Sequence, residues 1–131
     1  MQLYTITATP VQNAKQYKES LGAAMPSNKV LNDTEVNKFN ALALKEYPQA
    51  VAQVLANFGI DGFTMYRVNG YWKSQAEASY KIELALDDDS NDGGASARAT
   101  AEMIAQELAT KYNQEAVMLT LPDNSVHFIE Q

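Results

Sequence analysis

The hydrophobic period of this chain switches repeatedly between two residues and three to four, and the order of the switches restricts its fold. Alternating patterns predict strands over residues 2–9, 63–68, 79–86, 116–121 and 125–130. Apolar residues spaced by three or four predict helices over residues 11–25, 33–58 and 97–112. This order is the split βαβ pattern of ferredoxin-like folds. We therefore predict an α+β fold, an antiparallel sheet with helices packed on one face, plus an extra C-terminal strand.

Three short signals predict local geometry. Asn69-Gly70, between two alternating segments, is the strongest hairpin signal and predicts the turn there. Pro48 removes one hydrogen bond from the long helix, which predicts either a kink or two consecutive helices. Gly59 stands where a left-handed C-terminal cap is expected.

Composition excludes several classes of protein. A chain of 131 residues predicts one domain, residues 1–131. The absence of cysteine and the single histidine exclude disulfides and thiolate or multi-histidine zinc sites. The formal charge of -6 argues against direct binding of nucleic acid or of an anionic membrane. No signal-like N-terminus or membrane-length apolar run is present, so we expect a cytoplasmic protein in a bacterial or infected host cell.

Three candidates for chemistry carry little weight. The spacing of the acidic residues 88–93 is that of the start of a helix-loop-helix calcium site, but Ala99 occupies the position of the essential glutamate. His127 has no nucleophile at a recognised spacing. Gly93-Gly94 precedes a helix, but nearby aspartates would repel a phosphate. We therefore predict no metal and no cofactor.

The segment NGYWKSQAEASYKIEL, residues 69–84, is the best candidate for a recognition site because aromatic, cationic, hydroxyl and carboxylate groups lie together there. We predict that this segment and the start of the last strands bind a ligand or partner through Tyr71, Trp72, Lys73, Ser74, Glu77, Ser79, Gln114 and Glu115. A purely structural role is the alternative. The aromatic rings could cap the core, and Gln114 and Glu115 could close the helix-to-strand turn.

This segment, together with ELATKYNQEAVMLTL and the ending SVHFIEQ, resembles a pattern of small bacterial and phage proteins of unknown function. Their outline is a G-x-W-(K/Q/R) turn with a downstream E-x-S, then an (F/Y)-x-Q-E-(A/S)-V-(L/M) entry into the last strand. The matching positions are Gly70, Trp72, Lys73, Glu77, Ser79, Gln114, Glu115 and Val117. Ser74 departs from the glycine that often follows the basic residue. The resemblance implies a ferredoxin-like domain without an established reaction.

The function expected from these observations is that of a non-enzymatic, homo-oligomeric binding protein. It would be a phage or bacterial accessory protein that sequesters a small polar, nucleotide-like ligand or blocks a host or defence protein. One alternative is a small metal-independent ferredoxin-like enzyme with Glu77, Glu115 or His127 as base. Another is a structural self-assembling protein anchored by Tyr66, Tyr71 and Trp72. The lack of a titratable pair at a diagnostic spacing favours the binding protein over the enzyme.

Overall fold

The computed structural model has one antiparallel sheet of five strands, and it describes residues 2–21, 33–72, 75–87 and 96–131. The elements in chain order are β1 (Gln2–Ala8), α1 (Ala14–Leu21), α2 (Asp33–Asn57), β2 (Thr64–Trp72), β3 (Gln75–Leu86), α3 (Ala97–Lys111), β4 (Ala116–Thr120) and β5 (Val126–Glu130). The strand order is β2-β3-β1-β4-β5. Helices cover one face and β5 extends the sheet beyond β4, so the predicted α+β fold is confirmed.

The covered face of the sheet holds the core. Along the strands, every second residue points to this face, and those residues are apolar. They include Tyr4, Ile6, Ala8, Tyr80, Ile82, Leu84, Val117 and Leu119, all buried. Ile6 lies between Ile82 of β3 and Leu119 of β4, and all three are fully enclosed. The α2 and α3 residues that pack against them, among them Val51, Leu55 and Ile104, are equally enclosed.

The hairpin turn is not at Asn69-Gly70, so that prediction is wrong. Both residues lie inside β2 and pair with Ala78 and Glu77, and pairing continues to Trp72 with Gln75. The observed register places Met65 opposite Ile82 on the covered face. A turn at Asn69-Gly70 would remove that pairing and leave the apolar side chains of β3 without β2 partners. Burial of one face therefore overrode the local turn preference. The connection, residues 73–74, lies outside the described residues.

The long helix is continuous through Pro48, so two consecutive helices are excluded. Pro48 is exposed, whereas Tyr47 and Val51 on either side of it are fully buried. Packing of the inner face therefore holds the helix together across the missing hydrogen bond. The predicted cap at Gly59 is confirmed, with φ of +76° and a bond from the Ile60 amide to the Leu55 carbonyl.

Three tyrosines meet between the helices and the sheet. The ring of Tyr47 lies 5.3 Å from that of Tyr80 and 4.9 Å from that of Tyr112, measured between centroids. The Tyr80 hydroxyl donates to the Leu44 carbonyl at 2.9 Å. The Tyr47 hydroxyl is buried without a partner, and burial raises the pKa of Tyr47. The cluster therefore contains one hydroxyl with a hydrogen-bond partner, that of Tyr80, and one buried hydroxyl without a partner, that of Tyr47.

Several predictions fall on residues that are not described. The acidic loop considered for calcium lies mostly in 88–95, and the predicted end of the first helix lies in 22–25. Among the described residues, no helix has the length and apolar character required to cross a membrane.

Candidate functional site

The second face of the sheet, which we call the open face, carries polar side chains along its centre and apolar ones at its margins. The central strands contribute Thr5, Thr7, Glu77, Ser79, Lys81 and Glu83. The apolar residues with the largest exposure on this face are Leu3, Tyr66, Val126 and Phe128, at 50%, 43%, 49% and 65%. These residues alternate with the core residues of the same strands, which is why they point to the opposite side.

A recess interrupts the open face where β2 pairs with β3, and we call it the Gly70 notch, formed by Gly70, Glu77 and Ser79. Gly70 pairs with Glu77 and has no side chain to cover it. A Cβ atom at Gly70 would lie 3.4 Å from Ser79 Oγ and 3.6 Å from the Glu77 carbonyl oxygen, in van der Waals contact with both. Ser79 is buried, and Glu77 is half-buried. Burial raises the pKa of Glu77 because it disfavours the charged carboxylate.

The segment that follows β1 forms hydrogen bonds with β3 next to the notch. The Thr9 hydroxyl donates to the Ala78 carbonyl at 2.7 Å and accepts from the Val11 amide at 3.0 Å. On the opposite side of this segment, Gln114 Nε2 donates to the Val11 carbonyl at 2.7 Å. Segment 9–11 thus lies between β3 and the entry to β4 and connects the parts of the chain that carry Ser79 and Gln114. They meet at the same end of the sheet.

Side-chain amides stabilise this end of the sheet. Asn40 exchanges two hydrogen bonds with the Gln12 backbone, both at 2.9 Å. Gln12 Nε2 donates to the Tyr112 carbonyl at 2.6 Å, and Gln114 Nε2 donates to the same carbonyl at 3.2 Å. Gln114 Nε2 therefore donates to two backbone carbonyl oxygens, those of Val11 and Tyr112. We assign Gln114 to holding segment 9–11 in place.

The predicted site residues occupy different surroundings. Glu77 and Ser79 lie together in the notch. Tyr71 is 75% exposed, and alternation within β2 points it to the side opposite Gly70. Glu115 is exposed beside the buried Gln114. Lys73 and Ser74 lie outside the described residues, as does the side chain of Trp72.

Sequence reasoning missed Thr9, Thr7 and Lys81 as neighbours of the site. The alternation within β3 already put Ser79, Lys81 and Glu83 on one side. Only the pairing of β1 with β3 shows that Thr5 and Thr7 stand opposite Glu83 and Lys81. No local signal in the sequence encodes that register.

His127 lies away from the notch, on edge strand β5. Alternation points it to the covered side, where it pairs with Leu119. Ser125 Oγ lies 3.4 Å from His127 Nε2, but the Ser125 hydroxyl donates to Asp123 Oδ1 at 2.6 Å. These bonds close the β4–β5 turn, and the hydrogen bonds from Ser125 lower the pKa of Asp123. Within the described part of the chain, no group of three or more acidic or histidine side chains could hold a metal ion.

Comparison with known proteins finds similarity in structure but not in sequence. No family model and no curated protein matches the chain. A solved structure described as a phage SAM lyase in complex with S-methyl-5'-thioadenosine has a TM-score of 0.57 at 13% identity. The alignment covers 98% of this chain and 88% of that one. A structure of a phage SAM lyase in the apo state has a TM-score of 0.55 at 10% identity, with the same coverage. At these identities the similarity shows a shared fold.

This finding contradicts the prediction of a non-enzymatic binding protein, because both of these structures share the fold over nearly the full length of the chain and are described as lyases. The prediction relied on the lack of a general acid paired with a base. That requirement does not apply to every reaction. A sulfonium departs as a neutral thioether and needs no proton from the protein, so such a site can lack histidine, cysteine and metal.

Proposed function

We propose that this protein is a lyase that binds SAM, S-adenosylmethionine, on the open face and cleaves it to release S-methyl-5'-thioadenosine. The observation that carries the proposal is the Gly70 notch, a half-buried carboxylate beside a residue without a side chain, in a fold shared with a SAM lyase. The notch offers a hydroxyl and a carboxylate beside a stretch of backbone that a ligand can approach closely because Gly70 has no side chain.

In the proposed complex the adenosine end of SAM lies over the notch, with its ribose at Gly70. A glutamate carboxylate is a common partner of ribose hydroxyls, and Glu77 accepts from them once it is ionised. Ser79 Oγ provides a second polar contact at the floor. Tyr66 and Val68, on the same face of β2, offer apolar surface for the base. Removal of water from the Glu77 carboxylate strengthens its hydrogen bonds to the substrate.

The chemical step breaks the bond between the sulfonium sulfur and Cγ of the aminobutyryl group. The bonding electron pair goes to sulfur, which becomes the neutral thioether of S-methyl-5'-thioadenosine. A lyase adds no water, so the new bond to Cγ forms within the same fragment: its carboxylate oxygen attacks Cγ and closes a lactone ring, with no proton gained or lost. The charge on sulfur disappears during this step, so partial removal of water from the sulfonium favours the transition state over the ground state.

The charge of the protein supports a cationic substrate. At neutral pH, SAM carries a sulfonium and an ammonium against one carboxylate, and is therefore a net cation. The chain has a formal charge of -6, and the open face bears Glu77 and Glu83 against Lys81. This field attracts SAM and repels phosphate-bearing nucleotides. We therefore propose SAM as the small polar ligand, and the cytoplasm, where SAM is made and used, as the site of action.

Incubation of the purified protein with SAM, followed by chromatography, tests this proposal. We expect S-methyl-5'-thioadenosine to accumulate with time, and calorimetry to detect its binding to the wild-type protein. Glu77→Gln should reduce both. Failure of the wild-type protein to bind S-methyl-5'-thioadenosine and to cleave SAM would contradict the proposal.

Homo-oligomerisation stays a prediction. Val126 and Phe128 support it, since exposed apolar side chains on an edge strand favour contact with another chain. Sedimentation velocity at several concentrations tests it, and a monomer at every concentration would contradict it. The resemblance to small bacterial and phage proteins is consistent with the phage origin of the two fold neighbours and remains a proposal about ancestry.

A further inference from the structure

The open face carries two opposite charges next to each other on β3, surrounded by hydroxyl groups. Lys81 and Glu83 are two residues apart and therefore point to the same side. Thr7 and Tyr66 pair with Lys81, while Thr5 and Thr64 pair with Glu83. A cation and an anion with four hydroxyl groups across the neighbouring strands are thus concentrated at the centre of the sheet.

Neither Lys81 nor Glu83 forms an ion pair with another described residue. Lys81 is half-buried, yet no ion pair or hydrogen bond joins its ammonium group to a described residue. Among the described strand residues, it is the only lysine or arginine on the open face, because Arg67 points to the opposite side. A lysine whose stem lies along the sheet in this way can keep its ammonium group in water, where an anionic group of a ligand can reach it.

Thr7 provides an independent observation at the same place. Its Oγ1 atom is buried and has no hydrogen-bond partner. The flanking side chains on the open face are Lys81 and Met118, both long and flexible. A ligand oxygen that draws the Lys81 ammonium towards itself would uncover this hydroxyl and accept a hydrogen bond from it. A buried hydroxyl without a partner is destabilising, and such a ligand would relieve that cost.

We infer that Lys81 and Glu83 recognise the zwitterionic amino-acid head of the substrate, Lys81 with Thr7 binding its carboxylate and Glu83 binding its ammonium group. This inference rests on the proposed function and adds which part of the substrate determines specificity. Ser79 and Lys81 are two residues apart, so their Cα atoms are separated by about 7 Å along the strand. A ribose in the notch and a carboxylate at Lys81 are therefore within the reach of one SAM molecule. Compounds that lack the amino-acid head are expected to bind less tightly.

Two uncleavable thioethers separate this inference from the proposed function. S-Adenosylhomocysteine carries the amino-acid head, and S-methyl-5'-thioadenosine lacks it, but their adenosine parts are identical. We expect the wild-type protein to bind S-adenosylhomocysteine more tightly in calorimetry. Lys81→Met should weaken S-adenosylhomocysteine binding about tenfold or more, and leave S-methyl-5'-thioadenosine binding unchanged. Glu83→Gln should act in the same direction.

The charge-matched control is Lys45→Met, which removes an exposed lysine from α2. It should leave the affinities for both thioethers unchanged. Equal weakening of both thioethers by Lys81→Met, or an unchanged preference in that variant, would overturn the inference while the proposed function stands. A wild-type protein that binds S-methyl-5'-thioadenosine at least as tightly as S-adenosylhomocysteine would also overturn it. A wild-type protein that binds neither compound would overturn both proposals.

Discussion

The two faces of the sheet use the same strands for opposite purposes. On the covered face, Ile6, Ile82 and Leu119 form a row with no solvent exposure. On either side of Ile82 in β3, Lys81 and Glu83 stand on the open face among hydroxyl groups. Burial on one side stabilises the fold, which allows the other side to keep a half-buried carboxylate and an unpaired ammonium. The comparison predicts that stability and activity respond to substitutions on different faces.

The largest expected effect tests the covered face. Ile82→Ala removes a fully buried side chain between β1 and β2 and should lower the free energy of unfolding by about 3 kcal/mol. Lys81→Met, the adjacent residue on the open face, should change it by less than about 0.5 kcal/mol. Urea denaturation followed by circular dichroism measures both. Comparable losses in the two variants would remove the distinction between the faces.

The second prediction tests the open face. Glu77→Gln keeps the shape of the side chain but removes its charge, and should lower kcat/KM for SAM cleavage by roughly tenfold to a hundredfold. The thermal midpoint of the variant should equal or exceed that of the wild-type protein. The reason is that the variant does not have to remove water from an ionised carboxylate when it folds. A lower midpoint with normal kinetics would assign Glu77 to stability instead.

A side chain that fills the notch should have a smaller effect than loss of the Glu77 charge. Gly70→Ala places a methyl group 3.4 Å from Ser79 Oγ and should weaken S-methyl-5'-thioadenosine binding by about tenfold. Gly62→Ala is the matched control, because nothing lies within 4 Å of a Cβ atom there. Calorimetry with both variants would contradict the notch as the adenosine site if Gly70→Ala bound normally.

Two conservative substitutions test the contribution of single hydroxyl groups to the stability of the covered face. Tyr80→Phe removes the bond to the Leu44 carbonyl and should destabilise the protein by about 1 kcal/mol. Tyr47→Phe removes a buried hydroxyl without a partner, so stability should stay the same or rise by about 1 kcal/mol. Both values come from urea denaturation. Destabilisation by Tyr47→Phe equal to that by Tyr80→Phe would show that the Tyr47 hydroxyl is bonded in solution.

The smallest expected effect is the pH dependence of the open face. Burial raises the pKa of Glu77, so its contribution to stability is present at acid pH and is lost as the pH rises through the raised pKa. Ligand binding has the opposite sign, because the ionised form accepts from the ribose hydroxyls. Affinity for S-methyl-5'-thioadenosine should fall as the pH is lowered. Because the pKa of Glu77 is raised, this fall should begin at a higher pH than it would with a glutamate of ordinary pKa. Glu77→Gln should abolish this change, whereas Glu115→Gln, an exposed site, should preserve it.

At the β2–β3 hairpin, the turn preference of two residues and the burial of a whole sheet face favour different structures. Asn69-Gly70 favours a two-residue turn by its own chemistry, yet both residues were drawn into β2. The register that buries Met65 against Ile82 extends the pairing to Trp72 and Gln75. This extension brings Gly70 beside Glu77 and creates the notch. A site therefore arose where the sequence-based turn prediction was wrong.

The sequence by itself determined the element types, their order and the two-sided character of the strands, because hydrophobic periodicity records which side of each element is buried. The alternation from Ser79 to Leu86 and the helical spacing from Ala97 to Tyr112 are examples. Only the tertiary structure decided the register of β2 against β3 and the placement of Thr7 opposite Lys81. Segment 9–11 came to lie between Ala78 and Gln114 in the same way. Strand pairing depends on contacts between distant residues, and the free energy of burying a whole face outweighs the preference of any single turn.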